Sequence, residues 1–196
     1  MNTPFGNSIT TAEHAISMMM ALARQIPAAD RSTHEGKWEK NRFMGVELYG
    51  KTLGVIGCGN IGAIVCDRAI GLKMRVIAFD PFLSEERAID LGVERVDFDT
   101  LLARADFITL HTPLNDATRG IINADSIAKM KTGVRIINCA RGGLLVEEDV
   151  RAAIDAGQVA GAAVDVFSSE PAKENALFGS DAVVATPHLG ASTTEA

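Results

Sequence analysis

Cysteine is scarce in this chain: Cys58, Cys66 and Cys139 are the only three in 196 residues. They are odd in number and form no C-x-x-C pair, so neither a disulfide framework nor a zinc site is implied, and reduced thiols of a cytoplasmic protein are the default. No run of like charge occurs, and the formal net charge of −6 argues against nucleic acid or an anionic membrane surface as partner. Long hydrophobic runs are missing too. The longest apolar patch near the start, Ala15 to Ala23, is far too short to span a membrane, and it follows Glu13 and His14 without a basic leader. Aromatics make up only 5% of the residues, with a single Trp, and there is no internal repeat or low-complexity stretch. What remains, 47% hydrophobic and 22% charged, fits one globular domain with a sizeable core, or one domain with an appendage.

The rest of the chain is organised around Gly57-Cys58-Gly59-Asn60-Ile61-Gly62, a G-x-G-x-x-G run between the apolar stretch Thr52 to Ile56 and a helix-like stretch starting near Ile61. The first glycine permits a tight turn, the second leaves no side chain between backbone and a pyrophosphate, and the third lets the helix pack closely on the strand. The helix then directs its free N–H groups and positive dipole end at the phosphates. Alone the motif is weak. A second apolar run, Arg75 to Phe79, ends in Asp80, placed where a dinucleotide-binding unit holds the acid that receives the adenosine ribose hydroxyls. Its charge favours NAD over NADP, whose extra phosphate it would repel. The structural alternative is a solvated strand-end aspartate.

The spacing Thr10-x-x-Glu13 is that of a capping box, so a helix is expected to start there and run through the Met-rich stretch to Arg24 or beyond, with a break at Pro27. Met18, Met19 and Met20 read as a buried face rather than an adaptable binding surface. The segment Gly36 to Gly45 has no clear period yet carries Trp38, Phe43 and Met44, which must bury themselves on their own domain or on a second subunit. From Thr52 on, short β-branched runs alternate with helical stretches, the pattern of a doubly wound α/β fold with a parallel sheet. Strands are expected near 52–56, 75–79, 93–96, 106–110, 134–138, 160–164 and 182–185. Helices are expected near 61–72, 84–91, 99–104, 124–130 and 146–156.

In such a sheet the ligand lies beyond the carboxyl ends of the strands, so the residues just after each strand hold the chemistry. Arg141, flanked by small residues and two glycines, can project into a cleft and grip a carboxylate through two parallel hydrogen bonds. His188, between Pro187 and Gly190, suits a general acid or base near neutral pH. Glu170 follows the preceding strand and can accept the second N–H of His188, fixing its tautomer. Each alone reads as an ordinary loop residue; together, downstream of a nucleotide fingerprint, they form a constellation. Asp165 is a candidate acceptor for the nicotinamide carboxamide, and His111, Thr112 and Pro113 shape the cofactor site. His14 and His34 read as incidental.

These residues, with Asn2-Thr3-Pro4, Gly36-Lys37-Trp38, Phe43 to Leu48, Asn138 to Gly143, Asp165-Val166-Phe167 and Pro187 to Thr193, resemble the D-isomer-specific 2-hydroxyacid dehydrogenases across essentially the whole chain. The resemblance implies a Rossmann core over 51–196 preceded by a leading helix and dimerisation arm over 1–50. It further implies NAD as cofactor, a small 2-hydroxy acid as substrate and pairing of two copies through the cofactor domain. Arg141, Glu170 and His188 are the implied catalytic residues, with no metal. The implied NAD-lining set is Gly57, Gly59, Asn60, Ile61, Gly62, Asp80, Thr112, Pro113, Cys139, Ala140, Arg141, Asp165, His188, Gly190 and Ala191. Within the family the Phe43 to Leu48 segment is similar to the serine-biosynthetic branch, with the glyoxylate and lactate enzymes as alternatives. NAD-dependent formate dehydrogenases place an amide where Glu170 stands, and NAD-responsive corepressors share the three catalytic types. Family members also carry a substrate-binding domain that this sequence does not contain, so the chain is expected to bind NAD with little or no turnover.

Overall fold

The computed structural model describes residues 6–196; the Asn2-Thr3-Pro4 motif lies outside them. A helical preface comes first, α1 (Ser8–Arg24) and α2 (Ile26–His34). The sheet is built from β1 (Thr52–Ile56), β2 (Arg75–Phe79), β3 (Glu94–Arg95), β4 (Phe107–Leu110), β5 (Val134–Asn138), β6 (Val159–Val164) and β7 (Val183–Ala185). Between the strands run α3 (Asn60–Gly71), α4 (Glu85–Leu91), α5 (Phe98–Arg104), α6 (Ala124–Ala128) and α7 (Glu147–Asp155). All strand pairs are parallel, in the order β3-β2-β1-β4-β5-β6-β7. The order reverses between β1 and β4, which opens a crevice at their carboxyl ends.

Strands buried on both faces are mainly apolar, as a sheet covered on both sides requires. On one face Leu53, Val55, Phe107 and Ile137 meet α1 and α3; on the other Ile56, Ile108, Ile136 and Val164 meet α5, α6 and α7. Gly54 has a packing role: a Cβ there would stand 2.7 Å from Leu101 Cδ2, so its absence lets α5 sit close to β1. The edge strand β3 is shorter than the expected 93–96, and Glu94 and Arg95 face solvent, a polar edge that discourages pairing with another sheet.

The preface departs from expectation in one respect. Helix α1 starts at Ser8 with Asn7 as N-cap and no side-chain cap, so the Thr10-x-x-Glu13 box is not used. Thr10 sits inside the first turn with its hydroxyl 3.5 Å from that of Thr193, and Glu13 lies 3.9 Å from Arg68. The chain turns at Gln25, which adopts φ 54°, and Pro27 falls in the first turn of α2, where a missing N–H costs nothing. Met18 and Met19 are buried and Met20 is exposed. The arm after α2 is pinned by its backbone, Val46 N–H donating to Ala23 O at 3.0 Å. Its large side chains are not covered by the domain: Trp38 is 90%, Met44 77% and Tyr49 71% exposed.

Candidate active site at the switch point

A crevice of about 740 Å³ opens where the strand order reverses. Every residue assigned above to the cofactor lines it except Gly57, Gly62 and Asp80, which lie behind it. Gly57 has φ 93°, and a Cβ there would meet His111 O at 2.5 Å; at Gly62 a Cβ would stand 2.0 Å from Gly57 O. Both glycines therefore serve loop and helix packing. Gly59 differs, because nothing lies within 4 Å of the position its Cβ would take. It is also the N-cap of α3, with no side-chain cap and no acid in the first turn. Open space beside uncapped N–H groups fits a pyrophosphate. Asp80 braces the same loop, its Oδ2 accepting Cys58 N–H at 2.7 Å and its Oδ1 accepting Phe82 N–H at 2.8 Å. Each oxygen keeps a lone pair for a ribose hydroxyl. The residues thus fit a dinucleotide.

Across the crevice the loop after β6 meets the loop after β7. His188 Nδ1 lies 2.7 Å from Glu170 Oε2, and Glu170 Oε1 accepts Phe167 N–H at 3.0 Å. Burial alone would raise the Glu170 carboxyl, but the hydrogen bonds from His188 and Phe167 and the nearby charge of Arg141 outweigh it and hold the group below the ordinary value. The ionised carboxylate accepts Nδ1–H, which leaves His188 Nε2 as the basic nitrogen. His188 itself has φ 56°, a sparsely populated conformation for a side-chain-bearing residue that surrounding contacts must impose.

Those contacts converge on Asp165, which is 0% exposed. Its Oδ1 accepts from Thr186 Oγ1 at 2.6 Å and Leu189 N–H at 2.7 Å, its Oδ2 accepts from Gly190 N–H at 2.9 Å, and its carbonyl accepts His188 N–H at 2.9 Å. Asp165 is therefore foremost the clamp of the His188 loop; one lone pair of Oδ2 is left for any carboxamide. His14, taken as incidental, joins this clamp: its Nε2 lies 3.3 Å from Asp165 Oδ1 and 3.2 Å from Thr186 Oγ1. Since the Thr186 hydroxyl already donates to Asp165, Nε2 must carry the proton and donate. His34 pairs only with Asp30 on the surface.

Arg141 is exposed, forms no ion pair among the described residues and rests its Nη1 on Ala140 O at 2.6 Å. Among the described residues it is the only Arg or Lys lining the crevice. Its loop is tightly built. A Cβ on Gly142 would overlap Phe167 O, and buried Asn138 bridges the loop by donating to Arg141 O and accepting from Ala140 N–H. Buried Glu147 supports the opposite loop through Ser168 and Asn175. Neither Asn138 nor Glu147 stood out as a support in the sequence, nor did Asn7, Ser8 and Thr11, which line the crevice from α1. Cys139 is buried with its thiol pushed up by desolvation and by the charge of Asp165, so it is no nucleophile. Burial pushes His111 down to about 4, a neutral imidazole 2.9 Å from Thr109 Oγ1. No group of metal-ligating side chains occurs among the described residues. A second cavity, also about 740 Å³, opens near Arg31, Arg135 and Asp181, away from the glycine loop and from the His188 pair.

Fold and site define a dinucleotide-binding domain with a histidine–carboxylate pair facing the cofactor crevice. The model of the D-isomer specific 2-hydroxyacid dehydrogenase, NAD binding domain, matches residues 16–190, and the chain belongs to that family. It is 54% identical to the D-3-phosphoglycerate dehydrogenase of Archaeoglobus fulgidus and 48% identical to that of Homo sapiens, over 100% of this chain and 37% of theirs in both cases. The chain thus spans little more than a third of the length of these relatives. Among solved structures, D-lactate dehydrogenase from Escherichia coli is 36% identical with a TM-score of 0.91, over 99% of this chain and 61% of that one. A glyoxylate reductase from Paecilomyes thermophila is 36% identical with a TM-score of 0.90, over 98% and 58%. No helix of the described residues is long and apolar enough to cross a membrane.

Proposed function

We propose that this chain forms the cofactor side of a D-2-hydroxyacid dehydrogenase that oxidises 3-phospho-D-glycerate to 3-phosphohydroxypyruvate in serine biosynthesis. The observation that carries the reading is the 2.7 Å His188–Glu170 contact at a crevice floored by the open Gly59 loop. NAD, when bound, supplies the acceptor for the hydride from carbon 2. Arg141, free of any carboxylate partner among the described residues, binds the substrate carboxylate and polarises the C2 oxygen. His188 Nε2 takes the hydroxyl proton as the hydride leaves, and Glu170 keeps Nδ1–H in place and stabilises the imidazolium. Identities of 54% and 48% to phosphoglycerate dehydrogenases, against 36% to the lactate and glyoxylate enzymes, support the substrate. The carboxylate at 170 speaks against the formate enzymes.

With Arg141 as the only Arg or Lys lining the crevice among the described residues, the substrate phosphate is bound outside residues 6–196 in this reading, and the chain alone binds NAD with little or no turnover. A second copy covers Trp38, Met44 and Tyr49 of the arm, and free thiols suit a cytoplasmic setting. Calorimetric titration with NAD and with NADP tests the cofactor assignment. NAD binds more tightly than NADP, and Asp80→Ala weakens NAD by roughly tenfold or more through lost hydrogen bonds to a charged group. A folded chain that binds neither dinucleotide overturns the reading.

A further inference from the structure

Two of the three cysteines, neither of them lining the crevice, meet beside the dinucleotide loop. Cys58 is the first variable residue of the glycine motif, Cys66 lies on α3, and their sulfurs are 4.0 Å apart. Both are free thiols; Cys58 is half-buried and Cys66 fully buried. We infer that Cys58 and Cys66 form a dithiol modification site that hydroperoxides convert to a disulfide, and that the disulfide expels the dinucleotide.

The asymmetry of the pair sets the chemistry. The contact with Cys66 holds the Cys58 thiol below its ordinary value, while that same contact and burial push Cys66 up. Half-buried Cys58 is therefore the thiol that meets the peroxide, reacting through its thiolate form, and buried Cys66 is the resolving thiol. Cys58 sulfur attacks a peroxide oxygen, the O–O bond breaks, and hydroxide leaves as a sulfenic acid forms. Cys66 sulfur then attacks that sulfenic acid and expels its oxygen as water. With hydrogen peroxide the balance is two thiols oxidised, one S–S bond formed and peroxide reduced to two waters.

The geometry gives the bond a consequence. Sulfurs 4.0 Å apart must close to about 2 Å, which draws Cys58 toward α3. Gly57 cannot follow, because it is packed on the backbone of His111 and Thr112. The displacement falls on Cys58 itself, on its N–H bond to Asp80, and beyond it on the open position at Gly59. Those are the contacts assigned above to ribose and pyrophosphate, and this second half of the inference rests on the NAD reading.

The test treats the chain with hydrogen peroxide, maps the cysteine peptides by mass spectrometry, and titrates NAD calorimetrically before oxidation, after it, and after dithiothreitol. The expected result is a loss of about 2 Da on a linked Cys58–Cys66 pair and an NAD affinity reduced about tenfold, both reversed by dithiothreitol. Cys66→Ala binds NAD like the parent and keeps that affinity under peroxide. The inference is overturned if no such link forms, if Cys139 is oxidised instead, or if the linked chain binds NAD unchanged. The mass map reads the thiol chemistry whether or not the reduced chain binds dinucleotide, and titration of the untreated chain reads the cofactor assignment, so failure of one is told apart from failure of the other.

Discussion

Gly59 and Gly62 belong to one motif, yet substitution with alanine separates them by mechanism. At Gly62 the new Cβ would lie 2.0 Å from Gly57 O, a backbone atom that cannot rotate away. The start of α3 must shift bodily. Overpacking against backbone costs about 3 kcal/mol, the upper part of its usual range, which for a chain of this length lowers Tm by roughly 6–12 °C. At Gly59 the same methyl meets nothing within 4 Å, and φ −71° with an extended ψ suits alanine. Stability should change by less than about 1 kcal/mol, the ordinary cost of a poor N-cap. The methyl instead occupies the approach of a pyrophosphate to the N–H groups of α3. Loss of about two hydrogen bonds to a charged group amounts to roughly 3 kcal/mol, or about a hundredfold in Kd. Thermal unfolding followed by circular dichroism reads the first effect, and calorimetric titration with NAD reads the second. Gly59→Ala binding NAD as tightly as the parent would refute the pyrophosphate assignment, and Gly62→Ala unfolding at the parent temperature would refute the packing account.

Three further outcomes follow from the loops around the crevice. Glu170 has a carboxyl held below its ordinary value of 4.5, so its contribution is present above that pH and lost as pH falls through the lower folded value; Glu170→Gln should remove this part of the acid sensitivity in urea unfolding curves. His111 is pushed from 6.5 to about 4, so the unfolded chain binds the extra proton first. Stability should fall by up to about 3 kcal/mol as pH drops from 6.5 to 4, a slope that His111→Gln flattens, and the ring should titrate near 4 by NMR. Asp165→Asn turns an amide donor against N–H donors in a fully buried site. It should cost about 2 kcal/mol, seen as a Tm lowered by roughly 4–8 °C, and retention of the parent Tm would show that the carboxylate is not the clamp.

The sheet was legible because its central strands are largely buried on both sides and so read as mainly apolar runs, and because the glycine turn marks where the first crossover begins. Strand ends were less so: β3 keeps only Glu94 and Arg95, since an edge strand with one neighbour needs little pairing. The capping box failed because Thr10 and Glu13 are drawn to Thr193 and Arg68, partners that only the folded chain supplies. His14 was passed over for the same reason. Its contacts, Thr186 and Asp165, are more than 150 positions away, and nothing in the local pattern of α1 marks it. Glu147 opens a helix, where an acid reads as a dipole partner; its burial beneath Ser168 and Asn175 is a tertiary fact. Trp38 posed a choice between its own domain and a second copy, and the domain leaves it exposed.

The supports of the site explain why its basic nitrogen can face the crevice at all. A histidine at φ 56° costs of order 1 kcal/mol or more, and a fully buried aspartate would cost more still without partners. Here each unfavourable feature answers the other. The carboxylate of Asp165 is satisfied by the N–H groups of Leu189 and Gly190 that the turned backbone presents, the His188 N–H goes to the Asp165 carbonyl, and that backbone is held turned because Asp165 is there. With the backbone so fixed, the imidazole meets Glu170 through Nδ1 and has Nε2 to spare. A glycine-friendly turn is thereby occupied by a histidine, and the residue that makes this possible sits on the neighbouring strand end, more than twenty positions earlier in the chain. The pairing of loops across adjacent parallel strands, rather than any one motif, is what brings the His188 imidazole to the crevice.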